Sequence, residues 1–158
     1  MGGEPPVANP VITTDELTRL QVTASRVFVH HARIVDYVVR LVLATRTPAQ
    51  HGMPDVAQWV SYGASPRASL GLIAAGRAIA LLRGRDYVLP QDVLDVATDV
   101  LPHRMVMSYD AIADGIPAVH AVRRILQTIP LPPGRAPSAS RAGTNPATLR
   151  AALWERTA

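Results

Sequence analysis

The sequence predicts an all-α fold, a small helical bundle of about four to five helices followed by a flexible tail. Three observations point there. Nearly half of the 158 residues are apolar, yet there is one Phe and two Trp, so the core must be built from Leu, Val, Ile and Ala. Apolar residues recur three and four apart in several separate stretches, the spacing of a buried helical stripe. Start and stop residues bound those stretches: Ser, Thr, Asn or Pro before them, and Gly or Pro after. The length suits one domain with tails.

Residues 1–12, "MGGEPPVANPVI", are rich in Pro and Gly and read as a linker. "TTDELTRLQVTASRV" opens the first helix. Thr13 or Thr14 can cap it, Asp15 and Glu16 suit its positive end, and Leu17, Leu20 and Ala24 form its stripe. "VFV", residues 27–29, interrupts with β-branched residues. "ARIVDYVVRLVLATR" is a second helix with Ile34, Tyr37, Val38, Leu41 and Val42 on one side, ended by Thr47-Pro48. Residues 48–64 are a connection of mixed character. The third helix, after Ser65-Pro66, is apolar on two faces. Leu72, Ile73, Gly76, Ile79 and Ala80 make one, and Leu70, Ala74, Ala78 and Leu81 the other. A helix apolar nearly all round is expected at the centre of its bundle. Gly76 reads as a point of close approach, and Gly84 as the residue that ends the helix.

"RDYVLPQDVLDVATDVL" reads as an extended piece and then a fourth helix. Pro90 takes its first position and Val93, Val96, Ala97 and Val100 form its stripe. Pro102 stops or kinks it. A fifth helix covers about 116–128, with Val119, Val122, Ile125 and Leu126 apolar. "PLPPGRAPSASRAG" then has the composition of a disordered linker. The end of the chain carries Asn-Pro and then Leu149, Ala152 and Leu153, a pattern for a short helix near 146–155. The domain is therefore placed at 13–129 and the tail at 130–158.

Composition excludes several functions. There is no cysteine, so no disulfide and no thiol chemistry. All sixteen basic residues are Arg and the chain has no Lys. A nucleotide-hydrolysing P-loop requires a Gly-rich loop ending in Lys-Ser/Thr, because that Lys reaches the β- and γ-phosphates. This chain cannot supply one. No apolar run approaches a membrane span of about 20 residues; the longest, 70–82, holds Gly76 and Arg77. The formal charge of +4 permits an anionic partner without naming one. The five His lie on separate elements or, as His30 and His31, point apart on a helix, so no metal site is expected. Arg19, Arg26, Arg33 and Arg40 recur every seven residues, but "VFV" breaks the stripe that a continuous helix would offer to nucleic acid.

One position resists explanation by folding alone. In "YGASPRASLGLIAAG", residues 62–76, Ser65 reads as the cap and Pro66 as the first helical residue, which puts Arg67 in the first turn. The helix dipole is positive there, so a cation gains little unless it meets an anion. The free amides of the turn are themselves a weak anion site. Arg67 either joins them around a phosphate or lies in water. Ser65 can cap the helix or touch the same phosphate. For Arg83 and Arg85, solvated faces and compensation of a helix C-terminus are the simpler readings, and Asp86 is expected to pair with a nearby Arg. Trp59 is expected to pack on the bundle, and Trp154 to serve as a docking residue.

"YGASPRA", the following "RAIALLRGRDYV", the Pro-Gln-Asp-Val helix and "VLPHR" together resemble the C-terminal lid of MoxR-type AAA+ ATPases, and "YVVRLVLATR" is similar to the helix before that motif. The resemblance covers about 11–129 and is most specific over 62–104. It implies a helical lid that closes over ATP with Mg²⁺ held mainly by a preceding α/β core. That core carries the P-loop and is missing from this chain. Arg67 would be the sensor-2 arginine, the lid's contact to the γ-phosphate. The resemblance also implies a homo-oligomeric, six-fold ring, a chaperone-type role and partners with a von Willebrand factor A domain, while the absence of cysteine fits a cytoplasmic setting. On its own the chain should not hydrolyse ATP. Leu89 stands where the family often has a capping Thr, Pro102 intrudes before His103-Arg104, and His30-His31 replace small polar residues. The alternative is a free-standing basic helical module that binds an acidic protein or nucleic acid. A third reading is a lone lid that regulates intact rings by competing for their cores.

Overall fold

In the computed structural model, residues 10–132 are described. They form seven α-helices and one two-stranded antiparallel sheet. The helical bundle expected from the pattern is present, with more elements than periodicity revealed.

Helix α1 spans Thr14–Ser25. Thr13 caps it: its hydroxyl accepts from the Glu16 amide at 3.2 Å, and the Glu16 carboxylate accepts from the Thr13 amide at 2.7 Å. This reciprocal pair satisfies two donors that a helix start leaves orphaned. No residue of α1 is fully buried, so it lies on the surface, against the helix Arg67–Leu82. The "VFV" stretch leaves the helix, and its Phe28 pairs in parallel with Tyr87. The Phe28 amide donates to the Asp86 carbonyl at 2.7 Å, and the Val88 amide to the Phe28 carbonyl at 2.9 Å. A π-helical turn, His31–Val35, leads into α2, Asp36–Arg46.

The centre of the core is α2. Tyr37, Val38, Leu41 and Ala44 are fully buried there, and α4, α5 and α7 all supply residues to the same cluster. After α2, a 3₁₀ turn at Pro48–His51 closes on Gly52, whose φ of 75° favours glycine. Helix α3, Pro54–Trp59, passes directly into strand β1, Val60–Tyr62. Helix α4 spans Arg67–Leu82 and α5 Pro90–Val100; these two pack chiefly on each other. A 3₁₀ turn at Pro102–Arg104 stops α5, as Pro102 suggests, and strand β2, Val106–Met107, pairs with β1. The short α6, Tyr109–Ala113, is capped by Ser108. Helix α7, Ala118–Thr128, buries Ala121, Val122 and Ile125, and its Arg124 pairs with Asp55 of α3 at 3.0 Å.

Two expectations change. Helix α4 is not enclosed. Its Ala68, Leu72, Gly76 and Ala80 face the core, while Leu70 is 69% and Leu82 82% exposed, with Ala74 and Ala78 also exposed between them. Of the second apolar stripe, Leu81 joins the core while Leu70, Ala74 and Ala78 stay exposed. Gly76 is not a point of forced approach either. A Cβ there would meet Val88 at 3.4 Å and Val93 at 3.6 Å, ordinary packing distances. The segment proposed as a short helix at 146–155, and Trp154 within it, lie outside the described residues.

Candidate functional site at the start of α4

The loop before α4 is fastened to the end of α2. Thr45 is fully buried; its hydroxyl donates to the Val42 carbonyl at 2.6 Å and accepts from the Ala64 amide at 2.9 Å. One side chain thus ties two elements nineteen residues apart. Gly63 passes so close to α2 that a Cβ would overlap the Thr45 carbonyl and come within 2.6 Å of the Arg46 nitrogen. Ala64 fills the space behind and is itself buried. Beyond this anchor Ser65, Pro66 and Arg67 are exposed.

Thr45→Val keeps the shape but leaves the Ala64 amide buried without an acceptor. The expected cost is about 1–3 kcal/mol, the usual penalty for an orphaned buried donor, read as a shift in the urea midpoint. A variant as stable as the parent would show that water satisfies that amide.

The local start of α4 differs from the sequence reading. Helical geometry begins at Arg67 with Pro66 before it, and the Ser65 hydroxyl caps nothing. Instead the Ser65 and Pro66 carbonyls accept from the amides of Ala68 and Ser69, at 2.8 and 3.0 Å. Turn bonds therefore occupy two amides that a plain helix start would leave free for an anion. Whatever attracts an anion here must come mainly from side chains. Arg67 has no ion pair or hydrogen bond among the described residues.

The other end of α4 has a different chemistry. Gly84, φ 70°, ends the helix. Its amide donates to Leu81 at 2.8 Å, and the Arg85 amide to Ala80 at 2.9 Å, the paired bonds of a Schellman turn. The turn aims Arg83 and Arg85 at Asp92, whose side chain is fully buried. Arg85 binds it through two nitrogens at 2.6 and 2.8 Å, and Arg83 at 2.7 Å. Arg83 also reaches Asp95 at 2.6 Å. The Asp92 carboxylate accepts from the Leu89 amide as well, at 2.8 Å. Leu89 cannot cap α5 with its own side chain, so the third residue of the helix supplies the reverse half of a capping box. Burial pushes the Asp92 carboxyl up. The Arg85 hydrogen bonds, the Leu89 amide and Arg83 outweigh it and hold the group below the ordinary carboxylate range. The partner of Arg83 and Arg85 is thus Asp92, not solvent, while Asp86 contributes its backbone carbonyl to Phe28. Three residues escaped the sequence reading as contributors: Thr45, Gly63 and Asp92. Only Asp92 had a signal, the spacing of three from Leu89.

The remaining candidates do not converge. Arg26 sits at the end of α1, Arg33 in the π-helical turn and Arg40 on α2, over the Tyr37 ring at 5.9 Å. Trp59 packs edge-on to His120 with ring centres 5.4 Å apart. No three His, Asp or Glu side chains gather into a metal-binding group among the described residues. No described helix is long and apolar enough to cross a membrane.

The AAA lid domain family matches residues 54–125, the stretch that holds both the pinned Gly-Ala-Ser-Pro-Arg loop and the arginine clamp. The chain is 59% identical over 132 residues to the chaperone MoxR1 of Mycobacterium tuberculosis, covering 84% of this chain and 35% of that protein. It is 39% identical over 103 residues to the protein MoxR of Paracoccus denitrificans, covering 61% and 30%. A crystal structure of a protein assigned as an ATPase from Cytophaga hutchinsonii superposes with a TM-score of 0.68 at 36% identity, over 71% of this chain and 34% of that one. The chain belongs to the MoxR-type AAA+ family and carries its lid domain. It spans about a third of the length of the curated relatives it matches.

Proposed function

We propose that this lid closes over ATP bound to an AAA+ core and that Arg67 contacts the γ-phosphate as its sensor-2 arginine. The observation that carries this is the unpaired, exposed Arg67 on a loop fastened by Thr45 and Gly63. An arginine whose backbone is anchored at a helix start, with no carboxylate partner, is suited to stabilise charge on a transferring phosphoryl group. The residues present fit a phosphate contact and not a whole nucleotide site. With no Lys in the chain, a P-loop must come from a core. Mg²⁺ would be held by that core as well. Ser65, whose hydroxyl caps nothing, would assist at the phosphate in this reading. The lid occupies 13–129 in this reading. Ring assembly with six-fold symmetry, a chaperone-type role in the cytoplasm and a partner with a von Willebrand factor A domain belong to the same proposal.

The test exchanges residues 11–129 of this chain for the matching stretch of the Mycobacterium relative. In that chimera Arg67→Ala is expected to lower ATP turnover on the order of 10²-fold, the loss typical for one preorganised donor to a charged transition state. Thermal stability should stay within about 0.5 kcal/mol, because the side chain is exposed and unpaired. Turnover equal to that of the unsubstituted chimera would remove Arg67 from the nucleotide.

A further inference from the structure

The face of α4 that carries Arg67 holds a second unpaired arginine. Residues 67 and 71 are four apart, so their Cβ positions lie about 6 Å from each other on one side of the helix. Residue 71 is Gly, and Arg104 covers it. A Cβ built on Gly71 would lie 3.4 Å from Arg104 Nη2 and 3.6 Å from Cζ, with Val100 Cγ1 at 3.3 Å. The backbone of Arg104 is held firmly. Leu101 and Met105 on either side are buried, and the Arg104 amide donates to the Leu101 carbonyl at 2.9 Å within the turn that Pro102 starts. The short turn, not a long flexible loop, lays the guanidinium back over α4. Neither Arg67 nor Arg104 has an ion pair or hydrogen bond among the described residues. The contrast with Arg83, Arg85 and Arg124, each paired with a carboxylate, is within the same domain. Like charges on one face repel each other, and a shared anion reverses that sign.

We infer that Arg104, seated on Gly71, is a second phosphate-binding arginine that shares one polyphosphate with Arg67. This rests on the reading of Arg67 given above and extends it. Arg67 reaches the ligand from the helix start and Arg104 from the turn after α5. A single polyphosphate then bridges α4 and the end of α5, and the contact reports on both elements. Planar guanidinium forks suit phosphate oxygens better than ammonium groups do.

The experiment titrates inorganic tripolyphosphate into the full chain at constant ionic strength and follows the arginine Nε–Hε resonances by NMR. The expected result is that Arg67 and Arg104 shift along one binding curve, and that Arg104→Ala weakens the apparent affinity at least about fivefold, near 1 kcal/mol. Arg19→Ala, on α1, should leave the affinity unchanged. Arg104 is exposed, and Arg104→Gln gives a second variant with the stem retained. If Arg67 shifts and Arg104 does not, or if both Arg104 variants bind as the parent does, the shared site is refuted and the Arg67 reading stands. If neither shifts, both fall. Equal weakening by Arg19→Ala would show general charge screening and would overturn the site.

Discussion

Gly63→Ala is expected to destabilise the domain by on the order of 3 kcal/mol or more, the upper range for forced overpacking. The thermal midpoint should drop by roughly 10 °C or more. The cause is space, not backbone conformation. Gly52, Gly84 and Gly115 are the described glycines with positive φ; Gly63 is not among them. A methyl at residue 63 would overlap the Thr45 carbonyl, and backbone cannot turn aside as a long side chain can. Relief requires the loop to lift from α2, which breaks the Ala64–Thr45 bond and exposes Ala64. Gly76→Ala is the control. Its methyl would meet two Val side chains at ordinary distances, and helix propensity favours Ala by up to about 1 kcal/mol, so it should be neutral or stabilising. Differential scanning calorimetry on the two variants decides the matter. A Gly63→Ala midpoint within a degree or two of the parent would show that the loop lifts freely, and Arg67 would then lack a fixed base.

The same contrast explains what could be read from residues alone. Helix α1 was legible because Thr13 and Glu16 carry a local signal three residues apart, and the end of α4 because Gly84 is a local stop. The position of Arg67 near a helix start followed from Ser65-Pro66, even though Ser65 does not cap. What stayed hidden depends on contacts between distant segments. Helices α3 and α6 have six and five residues, too few turns to show a period. Strands β1 and β2 have three and two residues and exist because they meet each other. The second apolar face of α4 has the same pattern whether covered or not, so periodicity placed the helix too deep. Gly63 and Gly71 look alike in the sequence, as small residues near a motif. One is required by the backbone of α2 and the other makes a seat for Arg104. The arginines 83 and 85 read as solvated because their partner lies beyond a turn, on the next helix.

Asp92→Asn should cost about 2–3 kcal/mol at neutral pH and flatten the acid limb of the stability profile. A buried charge stripped of its partner typically costs about 3–5 kcal/mol. The lower figure applies because Arg83 is 45% exposed and can turn to water when its carboxylate goes. Asparagine still offers an oxygen to the Leu89 amide, so the α5 cap should survive and the loss should report mainly on the arginine clamp. The pH dependence follows from the direction of the shift. The folded carboxyl titrates below its unfolded value near 3.9, so the unfolded chain takes up the proton first as acid is added. The stabilisation is therefore complete above that unfolded value and is lost as pH falls through the lower, folded one. Asn cannot titrate, so the variant should lose this part of the slope below about pH 4. It should retain what Asp55 and Asp95 contribute: Arg124 holds Asp55 low against its desolvation, and Gln91 and then Arg83 hold Asp95 low. Urea denaturation at pH 7 and pH 3 measures the difference. A variant whose stability falls with acid as steeply as the parent's would mean that Asp92 is already paired as firmly in the unfolded chain. The Arg67 end should not notice the substitution. A helix of sixteen residues separates the two sites by roughly 24 Å, and the anchor on Thr45 does not pass through α5. Tripolyphosphate affinity at pH 7 should then be unchanged in Asp92→Asn. A loss there would instead tie the clamp to the phosphate site through the end of α5, where Arg104 sits.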